Sequence, residues 1–111
     1  MKVSVKLLDN NNYSYNNNFN LSVNQKGYLF FKNRLCLSAF ELVNNCKDIF
    51  DKINYLLLGQ EILGSFLLII EAPHKIYVVT DPIRSIPAFI YKDGDEVLVT
   101  DDLRNITNKN L

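Results

Sequence analysis

The chain has 111 residues, 48% of them hydrophobic, and its twelve Lys and Arg residues balance its twelve Asp and Glu residues. This length predicts one compact domain over residues 1–111, with a core large enough to fold without metal or disulfide staples. The balanced charge lacks the basic excess of a nucleic-acid binder or a polybasic membrane module, so neither nucleic acid nor a membrane is an expected partner.

The cysteines and the single histidine show no metal or redox pattern. Cys36, Cys46 and His74 are too few and too widely spaced for a zinc site or a redox dithiol. We therefore expect no metal and no cofactor, and two buried thiols in a reducing compartment. The first twelve residues lack the apolar run of a secretory signal, and no apolar run is long enough to span a membrane, which predicts a cytoplasmic protein.

Residues 1–37 begin with two strand patterns that flank a polar tract. Apolar side chains alternate with polar ones at positions 3–7 and again at 19–23, and we expect these two strands to be antiparallel neighbours. We also expect the strand at 19–23 to form an exposed sheet edge. Half of the residues from 9 to 24 are asparagine, which predicts a long loop over 9–24.

The following segments change from strand to helix. The continuous apolar run at 28–31 follows Gly27 and predicts a strand that is covered on both faces. Ser38, with Glu41 three residues later, forms a capping box, and apolar residues continue from there at helical spacing. We therefore expect helical structure over 38–58, interrupted near its middle by an asparagine pair.

Residues 64–106 return to strand patterns and predict a series of antiparallel strands. The run from Phe66 to Ile70 is apolar on both faces, which predicts a sheet lying under helices. Asp93-Gly94 between two apolar runs predicts a tight hairpin. The chain is therefore expected to be α+β, with a mainly antiparallel sheet and one helical layer.

A series of short motifs in residues 63–106 is typical of one enzyme family. In chain order these are a Gly-x-Phe strand, a loop from Asp to Pro, an aromatic strand and a closing polar pair: Gly64, Phe66, Asp81, Pro87, Phe89 and Thr100-Asp101. This order resembles the second half of the glutamine amidotransferase domain at the N-terminus of asparagine synthetases. The loop looks closer still to asparagine-synthetase-like proteins of biosynthetic clusters. The resemblance implies a partial Ntn-hydrolase-like, class II amidotransferase architecture.

The resemblance also implies which residues would release ammonia from glutamine, and here they differ. Members with that activity use an N-terminal Cys as nucleophile and an Asn-Gly pair as oxyanion donor. Lys2 stands in place of the Cys, and Lys26 replaces the Asn before Gly27. The chain also has no glycine-rich loop for ATP. We therefore expect no catalytic residues and no enzymatic activity.

These observations lead to a first hypothesis of protein docking. A non-catalytic accessory domain would dock onto a separate asparagine-synthetase-like, ATP-dependent amide-forming enzyme, or onto a second copy of itself. The candidate interface residues are the aromatics of the strands, with the charged residues of the loop: Tyr28, Phe31, Phe89, Tyr91, Arg84 and Asp81. The alternatives are that the aromatics belong to the core and that Asp81 and Arg84 form a structural turn clamp.

Two other classes of function stay open from the sequence. One is a small peptide-binding or amino-acid-binding module without enzymatic activity, in which a peptide would add to the strand edge at 19–23. The other is a hydrolase with Cys36 or Cys46 as nucleophile, for which His74 is the available base.

Overall fold

The computed structural model describes residues 2–16, 20–52 and 62–107, and these residues form eight strands and three helices. The strands are β1 (Lys2–Lys6), β2 (Asn11–Asn16), β3 (Asn20–Phe31), β4 (Arg34–Cys36), β5 (Ile62–Glu71), β6 (Ile76–Thr80), β7 (Phe89–Asp93) and β8 (Glu96–Thr100). The helices are α1 (Ala39–Asn45), α2 (Lys47–Lys52) and α3 (Arg104–Thr107). None of the helices in these ranges is long and apolar enough to cross a membrane.

Two long antiparallel strands, β3 and β5, form the centre of the larger sheet. They pair without a break from Ser22 opposite Glu71 to Phe31 opposite Ile62. On the other side of β3, β2 pairs with its first half and β4 with its last three residues. On the other side of β5, β6 pairs with its second half. The result is a five-stranded sheet in which every neighbouring pair is antiparallel.

A second, three-stranded sheet has the order β1-β8-β7. The predicted hairpin is confirmed, since Asp93 pairs with Glu96 and Gly94 in the turn has a φ of +58°. β1 lies on the other side of β8 and runs parallel to it, with Lys2 opposite Glu96. Our expectation that the first strand neighbours β3 is therefore wrong. Alternation indicates which face of a strand is buried, but it does not identify the strand with which it pairs.

β5 is buried on both faces, as the apolar run from Phe66 to Ile70 predicts. Phe66, Leu68 and Ile70 belong to the core cluster that α1 and α2 complete. Leu67 and Ile69 point the other way and pack against the three-stranded sheet. The domain therefore has three layers, which are the helices, the five-stranded sheet and the three-stranded sheet. The expected α+β class with a mainly antiparallel sheet is confirmed.

The helical layer begins where the capping box predicts. The Ser38 hydroxyl accepts a hydrogen bond from the backbone N of Glu41 at 3.2 Å, and the Glu41 carboxylate accepts one from the backbone N of Leu37 at 2.8 Å. α1 is seven residues long, and α2 follows it after one residue. The rest of the predicted helical segment, residues 53–58, lies outside the described residues.

The asparagine-rich tract forms two strands, and our expectation of a loop over 9–24 is wrong for most of its described residues. β2 and the first half of β3 are paired across it. The Asn12 side-chain amide donates to the Ser22 hydroxyl at 2.8 Å and to the Asn24 side-chain oxygen at 3.1 Å. Because these amides bond to side chains on the neighbouring strand, they do not compete for the backbone. Two half-buried tyrosines of β2 anchor it to the core.

β3 is an interior strand, so the expected exposed edge at 19–23 is also wrong. Position 19 lies outside the described residues, and residues 20–23 have β2 on one side. β5 pairs with residues 22 and 23 on the other side. The outer strands of the larger sheet are β2 and β4 at one edge and β6 at the other.

Gly27 allows a test of how closely β5 and the loop after β6 pack against β3. Its φ is +84°, and a Cβ there would overlap the Ser65 carbonyl oxygen and lie 2.7 Å from Ile86 Cδ1. We expect Gly27→Ala to lower the free energy of unfolding by more than about 2 kcal/mol, because backbone strain and steric overlap act together.

The matched control is Gly94→Ala, where φ is +58° but nothing lies within 4 Å of the added Cβ. Backbone strain alone should lower the free energy of unfolding of this variant by about 1 kcal/mol. Urea denaturation of both variants measures the difference. Equal losses of stability at the two positions would contradict the close packing around Gly27.

Candidate functional site

Asp81 is the centre of the corner that follows β6. Its Oδ1 accepts hydrogen bonds from the backbone N of Phe66 at 3.2 Å and from the Ser85 hydroxyl at 2.9 Å. Its Oδ2 accepts one from the backbone N of Ser85 at 3.1 Å. Because the residue is only 1% exposed, Asp81 is a structural clamp rather than a surface contact.

The surroundings of Asp81 favour its charged form. Burial by itself raises the pKa of this carboxyl group. The hydrogen bonds from the Ser85 backbone, the Ser85 hydroxyl and the Phe66 backbone outweigh burial, so that the pKa lies below its ordinary value of 3.8. At neutral pH the carboxylate is therefore charged and holds the loop against β5.

Arg84 contributes to the turn after β6 through its backbone, whereas its side chain contacts a carbonyl oxygen further along the loop. Its backbone N donates to the Asp81 carbonyl oxygen at 2.9 Å, and its φ of +52° places it in the left-handed region. The guanidinium is exposed, and Nη2 donates to the Ala88 carbonyl oxygen at 3.3 Å. Arg84 therefore closes the turn through its backbone and leaves its charged group on the surface of the loop.

The four aromatic candidates lie on different surfaces. Phe31 is buried towards the helices, so the alternative that it belongs to the core is correct and it is not an exposed interface residue. Phe89 and Tyr91 are half-buried on the face of the three-stranded sheet that points away from β5. Tyr28 is exposed, on the face of β3 opposite to Phe31. The structure does not bring these candidates together on one surface.

Tyr28 belongs to an exposed apolar cluster whose other members were not predicted from the sequence. Phe30 follows it on the same face, and the register places Leu35 and Leu63 opposite Phe30 on the two neighbouring strands. The Tyr28 and Phe30 rings meet edge to face, with their centroids 6.1 Å apart. The exposed fractions of Tyr28, Phe30, Leu35 and Leu63 are 45%, 39%, 46% and 69%. We call these four residues the apolar face.

The apolar face exists because the run at 28–31 is buried on one side only, contrary to our expectation of burial on both. Leu29 and Phe31 point towards the helices. The other two side chains of the run point towards the layer of the three-stranded sheet, which contacts β5 further along, at Leu67 and Ile69. Four consecutive apolar residues hide this alternation, so the sequence pattern could not show it.

Lys26 and Asp101 form an ion pair that joins the two sheets. Lys26 lies on β3, and Asp101 follows the last residue of β8. The Asp101 side chain is 4% exposed, and its carboxylate also accepts a hydrogen bond from the backbone N of Leu8 at 3.3 Å. The Lys26 ammonium is thereby held on a buried carboxylate.

Cys36 and His74 are not arranged as a catalytic pair. Cys36 and Cys46 are both buried. His74 lies in the exposed turn after β5, whereas Cys36 pairs with Leu29 near the opposite end of the sheet. The two ends are roughly 20 Å apart along the strands, since each residue adds about 3.3 Å. Cys36 and His74 therefore do not form the nucleophile and base of a hydrolase.

The depressed pKa of Asp81 predicts a dependence of stability on pH. The charged carboxylate stabilises the folded state above about pH 4, the ordinary pKa of the unfolded chain, and this contribution is lost as the pH falls through the lower folded-state pKa. We expect Asp81→Asn to lower stability at pH 7 and to weaken the acid dependence. Urea midpoints at about pH 7, 5 and 3 measure both effects. An acid dependence as steep as that of the wild type would contradict this role.

The ion pair between the sheets can be tested in the same way. Lys26→Met leaves the Asp101 carboxylate buried without its cation, and we expect it to lower the free energy of unfolding by about 2–4 kcal/mol. Lys26→Met combined with Asp101→Leu replaces both charges by apolar groups and should recover most of the loss. Urea denaturation at pH 7 measures each variant. A double variant no more stable than Lys26→Met would contradict a buried, mutually compensating pair.

The described residues present two kinds of surface, an exposed apolar cluster and exposed charged side chains. Residues 2–16, 20–52 and 62–107 contain no group of three His, Cys, Asp or Glu side chains that could hold a metal ion. The features that remain as a candidate site are the apolar face and the loop that carries Arg84. Comparisons of the chain with protein-family models, with curated proteins and with solved structures found no match.

Proposed function

We propose that this chain is a non-catalytic, amidotransferase-like accessory domain that docks onto a separate asparagine-synthetase-like enzyme, which forms an amide with the use of ATP. The layer order is consistent with a partial Ntn-hydrolase-like, class II amidotransferase architecture, because two sheets are stacked and helices cover the larger one. Two of the residues that carry the resemblance also have defined structural roles. Phe66 is a core residue, and Asp81 holds the loop after β6 against β5.

The surroundings of Lys26 and Gly27 support the absence of glutaminase activity. The resemblance equates these positions with the Asn-Gly pair that donates to the oxyanion. The Lys26 ammonium is bound by Asp101, and the space beside Gly27 is filled by Ser65 and Ile86. An oxyanion hole needs donors that point at a free position, and these two residues do not provide one.

The apolar face is the observation that carries the docking proposal. Its four side chains expose on the order of 400 Å² of adjacent apolar surface, which is the size of the largest apolar patch on a typical monomeric protein, and such a patch often has a function. A stable protein–protein interface buries about 800 Å² on each partner. The apolar face is smaller than this, so the interface includes its polar surroundings as well, and the resemblance to a domain that is joined to an amide-forming enzyme favours that enzyme as the partner.

Docking through the apolar face predicts a specific loss of binding. Tyr28→Thr combined with Phe30→Thr should reduce recovery of the amide-forming enzyme with the tagged chain by at least about tenfold, because aromatic anchors dominate interface energies. Affinity purification from the native host at moderate salt, followed by mass spectrometry, measures the recovery.

Phe40→Thr is the matched control, since Phe40 is 56% exposed and lies on α1, on the opposite face of the larger sheet from the apolar face. It should leave recovery unchanged, and circular dichroism of each variant verifies folding. Recovery of an asparagine-synthetase-like protein by the wild type and by Phe40→Thr, but not by the double variant, supports the proposal. Recovery of no such protein, or of a second copy of the chain alone, would overturn it.

A further inference from the structure

The face of the three-stranded sheet that points away from β5 contains a small cavity. β8 is the central strand of this sheet, and the register places Ser4 of β1 and Tyr91 of β7 on either side of its Leu98. The neighbouring row along the strands places Lys2 opposite Glu96. These five residues line a cavity of about 170 Å³.

The cavity combines an apolar floor with two charged groups at its opening. Leu98 is only 2% exposed and Tyr91 is half-buried, so these two side chains supply apolar contact surface. Ser4 is small and leaves space on the β1 side. Lys2 and Glu96 are exposed, so a molecule can reach both of them from solvent. A ligand in this cavity therefore meets apolar surface and opposite charges together.

Lys2 and Glu96 are neighbours across two strands, but their side chains do not bind each other. In the described part of the chain no ion pair joins them. The strands hold both positions in place, because the Lys2 backbone N also donates to the Asp95 carbonyl oxygen at 2.8 Å. Neighbouring strands are about 4.8 Å apart, so one small molecule can contact the ammonium and the carboxylate at the same time.

We propose that this cavity binds a free α-amino acid with an apolar side chain. The Glu96 carboxylate accepts hydrogen bonds from the α-ammonium group, and the Lys2 ammonium donates to the α-carboxylate. The two ligand groups are attached to the same carbon atom, so they reach side chains of neighbouring strands together. The ligand's own side chain lies against Leu98 and Tyr91, which removes apolar surface from water.

The size and the charge of the cavity limit which molecules fit. Pockets for drug-sized ligands measure about 300–1,000 Å³, so a cavity of about 170 Å³ suits a single amino acid. Asp93 lies opposite Glu96 on the side away from Lys2, and the two carboxylates favour the ammonium group at that end. The cavity and the apolar face lie on different sheets, so the inference does not depend on the docking proposal.

L-Leucine is the probe, with N-acetyl-leucine and leucine amide as matched controls, since the first control lacks the ammonium and the second lacks the carboxylate. NMR titration of the isotope-labelled full chain measures binding, with the amides of Ser4, Glu96 and Leu98 as reporters. We expect L-leucine to shift these amides with a Kd of about 1 mM or lower. Each control should bind at least about tenfold more weakly, because it loses one charge-assisted contact.

Two variants test the residues that hold the ligand. Lys2→Gln and Glu96→Gln should each weaken binding of L-leucine by at least about tenfold. Lys6→Gln is the control, since Lys6 is exposed on the same face of β1 but lies opposite Thr100, outside the cavity. It should bind as the wild type does, and circular dichroism verifies that each variant folds. No binding at millimolar L-leucine, equal binding of the three compounds, or equal losses in Lys6→Gln and Lys2→Gln would overturn the inference.

Discussion

A strand that is apolar on both faces has to be covered on both faces, and β5 imposes this requirement on the whole chain. Leu68 needs the helices on one side, and Leu67 needs the three-stranded sheet on the other. The three layers follow from this single strand. β3 lies beside it along its full length, but the smaller sheet covers only part of their common face. The uncovered part is the apolar face.

Two buried carboxylates hold parts of the fold together, since Asp101 joins the two sheets and Asp81 holds the loop after β6. The negative charge of each is compensated by the groups in contact with it. Asp81 receives backbone and hydroxyl donors, and Asp101 receives the Lys26 ammonium and a backbone N–H. The position of Asp81 also explains why the pairing of β6 with β5 ends at Thr80 opposite Leu67. Pro82 has no N–H with which to continue a ladder, and the Asp81 side chain takes over the bond to Phe66 that another strand residue would have made.

Local signals in the sequence predicted the elements whose causes are local. The hairpin at Asp93-Gly94, the helix start at Ser38 and the double burial from Phe66 onwards were all predicted, because turn chemistry, capping and apolar runs act over a few residues. The strand that pairs with β1 and the strand structure of the asparagine tract were not predicted. Both depend on contacts between distant segments, such as the Asn12 amide with Asn24.

The candidate site was predicted less well for the same reason. Asp81 was recognised as a possible clamp from its position before a proline, and Tyr28 as an exposed aromatic. Phe31 was misplaced, because four apolar residues in a row do not reveal which of them faces the helices. Leu35 and Leu63 become neighbours of Phe30 only through the register of three strands, which no local pattern contains.

The parallel pairing of β1 with β8 has a consequence for the order in which the chain can fold. The β3–β5–β6 part of the larger sheet and the helices α1 and α2 are complete in sequence by Thr80, but the smaller sheet needs residues from both ends of the described chain. During synthesis, β1 therefore stays unpaired until Thr100 has emerged, and Leu67 and Ile69 lack their cover for that time. Such long-range closure is slow, and it leaves apolar strand surface open to association until the last hairpin forms.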